Sequence, residues 1–215
     1  AVESPGNGRV LVVDGGGSST ARNVVIQGNY IGTDISGSSA LSNSRHGVYL
    51  YNAAASNTVG GTVSGAGNVI SGNASYGVLI EGINNSVAGN TVGLNAAGTA
   101  AISNSTGIYV NNVGSNTIGG TTALARNVIS GNTNDGIYIT GASATGNLIR
   151  GNYIGTNAAG TAAAGNRNAG IYIQASAPGT TGWRPARSTT STTAGRSRRS
   201  APAGRCATTA NFATT

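Results

Sequence analysis

The residues able to do acid–base chemistry are few. There are five acids, Glu3, Asp14, Asp34, Glu81 and Asp135, and one histidine, His46. All twelve basic residues are arginine. Hydrolysis of a glycoside needs two carboxylates flanking the scissile bond, roughly 5–9.5 Å apart. A lyase needs carboxylates to hold Ca2+ and a basic residue to take a proton. Serine and threonine are abundant, but no base is placed to activate one as a catalytic triad requires. The single cysteine, Cys206, excludes an internal disulfide framework and a cysteine-based zinc site. Neither a metal nor a cofactor is expected. What these residues can do depends on the elements that carry them.

Those elements are repeats. NYIGT at 29–33 recurs as NTVGL at 90–94 and NYIGT at 152–156, and GNVISGN at 67–73 recurs as RNVISGN at 126–132. HGVYL at 46–50 recurs as YGVLI, TGIYV, DGIYI and AGIYI, with glycines at 47, 77, 107, 136 and 170. The period is about 30 residues, with a larger unit of about 60. Each unit holds three short, β-branched runs bounded by Gly, Asn or Ser, which predicts strands and turns rather than helices. Run a covers 24–26, 58–59, 86–87, 117–118 and 148–149, and run b covers 30–31, 69–70, 91–92, 128–129 and 153–154. Run c covers 48–51, 78–81, 108–110, 137–140 and 171–173, with residues 10–13 as a c strand of an earlier unit.

One unit cannot bury its apolar face, whereas stacked units can if each strand pairs in parallel with its counterpart one coil along. The expectation is an all-β solenoid, a single-stranded parallel β-helix of about five coils and three short strands per coil, roughly 25 Å long. Asparagines precede run b at 29, 68, 90, 127 and 152, and precede run a at 57, 85, 116 and 147. Such columns form hydrogen-bonded ladders. Long loops emerge at two corners, after run b in odd units and between runs a and b in even units.

The phrases GNYIGTNAAGTAA, ARNVISGN and NDGIYI, spread over residues 9–174, resemble the right-handed parallel β-helix repeat proteins of bacteria, in the pectin-lyase-like superfamily. The resemblance implies polysaccharide lyases, hydrolases and epimerases, but also tailspikes and surface adhesins. It settles the architecture and leaves the activity open.

The solenoid sets the spacing of the acids. Asp14 and Glu81 fall two coils apart, roughly 10 Å at the backbone, the one pair near the distance for inverting hydrolysis. Asp34 sits in the first long loop, where later units carry Asn95 and Asn157. Asp135 precedes run c, beside Thr106 and Ala169. His46 and Gly47 match a His–Gly pair of the polygalacturonase branch, but the Asp-rich motifs that belong with it are absent. His46 is expected at a surface turn. Asp14, Glu81 and His46 are therefore the weak catalytic candidates. The outward column of run c reads Leu11, Tyr49, Leu79, Tyr109, Tyr138 and Tyr172. Tyrosines at one per coil either stack on sugar rings or stabilise the sheet by packing on each other. Tyr49, Tyr109, Tyr138 and Tyr172 are the candidate polysaccharide contacts.

The charge is uneven. The net charge is +7, yet residues 178–215 hold six arginines and no acid, leaving the body, 1–177, at +1. That tail lacks apolar periodicity and reads as disordered, or as an out-of-frame translation. Nucleic-acid binding would rest on the tail alone and is not the expected activity. No run of 18 apolar residues predicts a membrane span. The repeats begin and stop inside a unit without caps, which predicts a fragment of a longer solenoid that self-associates end to end. The expectation is a non-catalytic structural or adhesin-like segment of a secreted or cell-surface protein that contacts polysaccharide. The alternative is a polysaccharide lyase or glycoside hydrolase domain.

Overall fold

The computed structural model describes residues 11–16 and 21–174. Glu3 and the basic segment 178–215 lie outside them. The described chain is a parallel β-helix. Its three sheets are built from runs a, b and c, and each strand pairs in parallel with the strand one coil away.

The run c sheet is the broadest, with six strands: Leu11–Asp14, Val48–Tyr51, Tyr76–Ile80, Thr106–Asn111, Ile137–Thr140 and Ile171–Gln174. Val48, Val78, Ile108 and Ile137 stack in one inward column, and Leu50, Ile80, Val110 and Ile139 in the next. Ile31, Ile70, Val92 and Ile129 from run b and Val59, Val87 and Ile118 from run a close the core. Each is almost wholly buried, and each such Val, Ile or Leu contributes about 1.5–3 kcal/mol on removal from water.

The first c strand is displaced by one residue from the expected 10–13. Leu11 pairs with Val48 and Val12 with Tyr49. Leu11 therefore belongs to an inward column, and Val12, not Leu11, begins the outward column. The alternation explains it: Leu11 and Val13 together cover the end of the core, as Val48 and Leu50 do one coil on.

The corners are held by asparagine. In the column before run b, Asn68 donates from its backbone N–H and its Nδ2 to Asn90 Oδ1, at 3.0 and 2.9 Å, and Asn90 does the same to Asn127, at 2.9 and 3.0 Å. The column before run a repeats this through Asn57, Asn85, Asn116 and Asn147. A third ladder, through Asn43, Asn73, Asn104, Asn132 and Asn166, lies before run c. It was legible only as an asparagine three or four residues ahead of each repeating glycine. Among the described residues no buried side-chain nitrogen or oxygen lacks a hydrogen-bond partner.

The glycines before run c serve close approach. A Cβ on Gly107 would lie 2.6 Å from the Gly136 carbonyl oxygen and 2.7 Å from Ile129 Cγ2, and Gly47, Gly77 and Gly136 are equally confined. None of these four has a positive φ, so it is the missing side chain that matters and not backbone freedom. In the odd coils, bridges Thr33 to Ala40, Leu94 to Ala101 and Thr156 to Ala163 close three hairpins. The hairpins stack on each other across the intervening even coils: Ala96 N–H donates to Gly37 O and Ala158 N–H to Gly98 O, both at 2.9 Å.

Candidate functional site

The outer face of the run c sheet gathers six of the eight tyrosines, the one histidine and Glu81. Strand alternation turns Tyr49, Tyr109, Tyr138 and Tyr172 outward. Leu79 occupies their column in the second coil and is nearly buried. The missing ring is supplied by Tyr76, three residues earlier on the same strand. His46 fills the equivalent place in the coil before, because Gly47 and Gly77 stack and carry the preceding residues with them.

The result is an unbroken row. Tyr51 meets Tyr49 with ring centroids 4.9 Å apart, Tyr49 meets His46 at 5.4 Å, and His46 lies on Tyr76 at 5.0 Å. Tyr76 then meets Tyr109 edge-on at 4.8 Å, Tyr109 stacks on Tyr138 at 4.9 Å, and Tyr138 on Tyr172 at 5.3 Å. The sequence candidates Tyr49, Tyr109, Tyr138 and Tyr172 all lie in this row, and Tyr51 and Tyr76 are added to it. The last three rings are within 10° and 15° of parallel. Their faces are turned to each other along the rod, so each presents its edge and phenol oxygen outward.

His46 is not a surface turn residue. It is 9 % exposed, sandwiched between the flat face of Tyr76 and the edge of Tyr49. Burial, and then the neighbouring Arg45, lower its pKa from the ordinary 6.5, while Glu81 opposes them. The neutral imidazole is the favoured form at neutral pH.

The acids are committed to local bonds. Tyr49 donates its phenol hydrogen to Glu81 Oε2, and Asn111 Nδ2 donates to Glu81 Oε1 at 2.7 Å. Burial first, and then the bond to Glu81, hold the Tyr49 phenol well above its ordinary range. Asp14 pairs in register with Tyr51, and Glu81, one coil further on, donates its N–H to Leu50 O. Tyr51 thus stands in the column between Asp14 and Glu81, and Asp14 Oδ1 accepts from Gly16 N–H at 2.8 Å. Asp34 Oδ1 ties down its own hairpin, accepting from Ser36 Oγ at 2.8 Å and Ser38 N–H at 2.9 Å. Those bonds lower its pKa. Asp135 is buried, accepts from Asn168 Nδ2 at 2.8 Å and Ala169 N–H at 3.0 Å, and is held above the ordinary carboxylate range by desolvation.

Away from this face the described surface carries scattered arginines, such as Arg22 and Arg150, and exposed apolar side chains, such as Ile35 and Val63. A shallow groove of about 630 Å3 crosses the run a sheet, lined by Thr62, Ser86, Thr117, Thr121, Thr122 and Arg150 among others, with no acid or histidine. Tyr153 of run b lies under Arg126, whose guanidinium carbon is 4.0 Å from the ring centroid. Among the described residues no cluster of three His, Cys, Asp or Glu is arranged to hold a metal ion. No helix there is long and apolar enough to cross a membrane.

No protein-family model, curated protein or solved structure matches the chain.

Proposed function

We propose that this chain is a non-catalytic, rod-forming segment of a secreted or cell-surface β-helix protein of the pectin-lyase-like type, and that it contacts polysaccharide along the face of run c. The continuous row of rings from Tyr51 to Tyr172 carries this reading. It places a phenol edge at nearly every coil, about 4.8 Å apart, on the outside of a sheet. Because the ring faces of Tyr109 and Tyr138 are turned to each other, the contact is by hydrogen bonds and ring edges to sugar hydroxyls, not by sugar rings lying flat on tyrosine.

The non-catalytic part rests on the acids. Glu81 is held by Tyr49 and Asn111, and Asp14 by Gly16, with Tyr51 between the two. A pair of carboxylates working on one glycosidic bond needs that space for sugar and water.

A glycan array, with turnover assays on polygalacturonate and alginate, tests both parts. Binding without turnover is expected, with binding lost in a Tyr109→Ala, Tyr138→Ala double variant. Turnover that disappears in Glu81→Gln would replace this reading with a lyase or hydrolase.

A further inference from the structure

We propose that Tyr109 and Tyr138 form an oxidative cross-linking site, at which a one-electron oxidant joins two neighbouring coils through a bond between the tyrosine rings. The two residues are register partners on adjacent strands. Their rings are 4.9 Å apart at the centroids and 10° from parallel. Tyr172 continues the stack against Tyr138 at 5.3 Å and 15°. The other tyrosine contacts of the row are tilted: Tyr76 meets Tyr109 at 66°, and Tyr49 meets Tyr51 at 44°. Only in these two pairs of tyrosines are the rings of the row both in contact and close to parallel.

The reaction balances as follows. Each phenol gives one electron to the oxidant and one proton to water, leaving a phenoxyl radical whose unpaired electron is shared with the ring carbons beside the oxygen. Two such carbons pair their electrons in a new carbon–carbon bond. The hydrogen on each of them then moves as a proton to the phenol oxygen of its own ring, which restores both aromatic rings and both hydroxyls. The net change is the loss of two hydrogens from the protein. The oxidant is a peroxidase-type or photo-oxidised metal complex, supplied from outside.

Three observations favour this pair. Both side chains are half-buried, so an oxidant reaches them while packing holds them in place. Tyr109 donates to Asn111 Oδ1 at 3.2 Å and Tyr138 to Gln174 Oε1 at 2.7 Å. Those bonds fix the ring directions and make the coupling of two radicals intramolecular. The chain also has no methionine, one of the usual competing sinks for an oxidant.

The test is photo-oxidation of the full chain at low concentration with a ruthenium tris-bipyridyl complex and persulfate. The expected product is monomeric, lighter by two hydrogens, and shows dityrosine emission. Digestion and mass spectrometry should map the link to Tyr109–Tyr138, with a minor Tyr138–Tyr172 product. Tyr138→Phe keeps the ring and the packing and should lower the yield several-fold, whereas Tyr153→Phe should not, and urea-unfolded protein should lose the preference. Links found only between two copies, or a yield that Tyr138→Phe leaves unchanged, would overturn the proposal.

Discussion

The imidazole of His46 lies flat on the ring of Tyr76, with centroids 5.0 Å apart and planes 5° from parallel. The contact joins the first half of the aromatic row to the second. It also buries a group that titrates near neutrality.

The buried imidazole gives stability a pH dependence. Its pKa in the folded chain is lowered, by burial and by Arg45, so the unfolded chain binds the proton more tightly. The stability it contributes is fully present above 6.5, the ordinary value, and is lost as pH falls through the lower folded value. Urea midpoints at pH 7.5 and pH 5 should therefore differ. His46→Phe, which keeps an aromatic ring against Tyr76 without a titrating nitrogen, should reduce that difference. An unchanged difference in the variant would assign it to the carboxylates instead.

The glycine column should tolerate no side chain. Gly107→Ala forces a methyl against the Gly136 carbonyl and Ile129 and should cost about 1–3 kcal/mol, as overpacking of a core does. Gly165→Ala is the matched control. A Cβ there meets nothing within 4 Å, and Gly165 has no positive φ, so the change should be neutral or stabilising by about 0.4–1 kcal/mol. Chemical denaturation of the two variants beside the parent separates close approach from a general intolerance of alanine.

The ladders should be strongest in the middle. Asn90→Ala removes the acceptor of Asn68 N–H and Nδ2 and the donor to Asn127 Oδ1 and Val59 O. It leaves buried donors without partners, each costing about 1–3 kcal/mol. A loss of roughly 3 kcal/mol is expected. Asn29, in the first coil, is only half-buried and donates to Asn68 Oδ1, and Asn29→Ala should cost under about 1 kcal/mol. Equal losses at the two positions would show that the ladder does not act through buried bonds.

Much of this was readable before any coordinates. The order of runs a, b and c, the inward Val and Ile of each strand, and two of three asparagine ladders follow from the repeat, because a stacked coil must place like residues over like. The third ladder escaped because its asparagines stand at unequal distances from the glycines that mark the period. At Asn104 the interval is three residues, and at Asn73 and Asn132 it is four.

The sequence by itself determined that the chain coils, how many times, and that tyrosine repeats on one face. Tertiary structure alone decided what those side chains touch. Leu79 breaks the column, and only the path of its strand brings Tyr76 into the gap. Glu81 faces Asp14 on paper, yet the phenol of Tyr49 takes one of its oxygens and the amide of Asn111 the other. His46 reads as a turn residue, yet two neighbouring rings bury it. The hairpins of alternate coils meet although some 60 residues separate Gly37 from Ala96. The reason is common to the first three. Periodicity specifies which coil and which face a residue occupies, but the direction of a long side chain is chosen by its neighbours in adjacent coils, and those neighbours are distant in sequence.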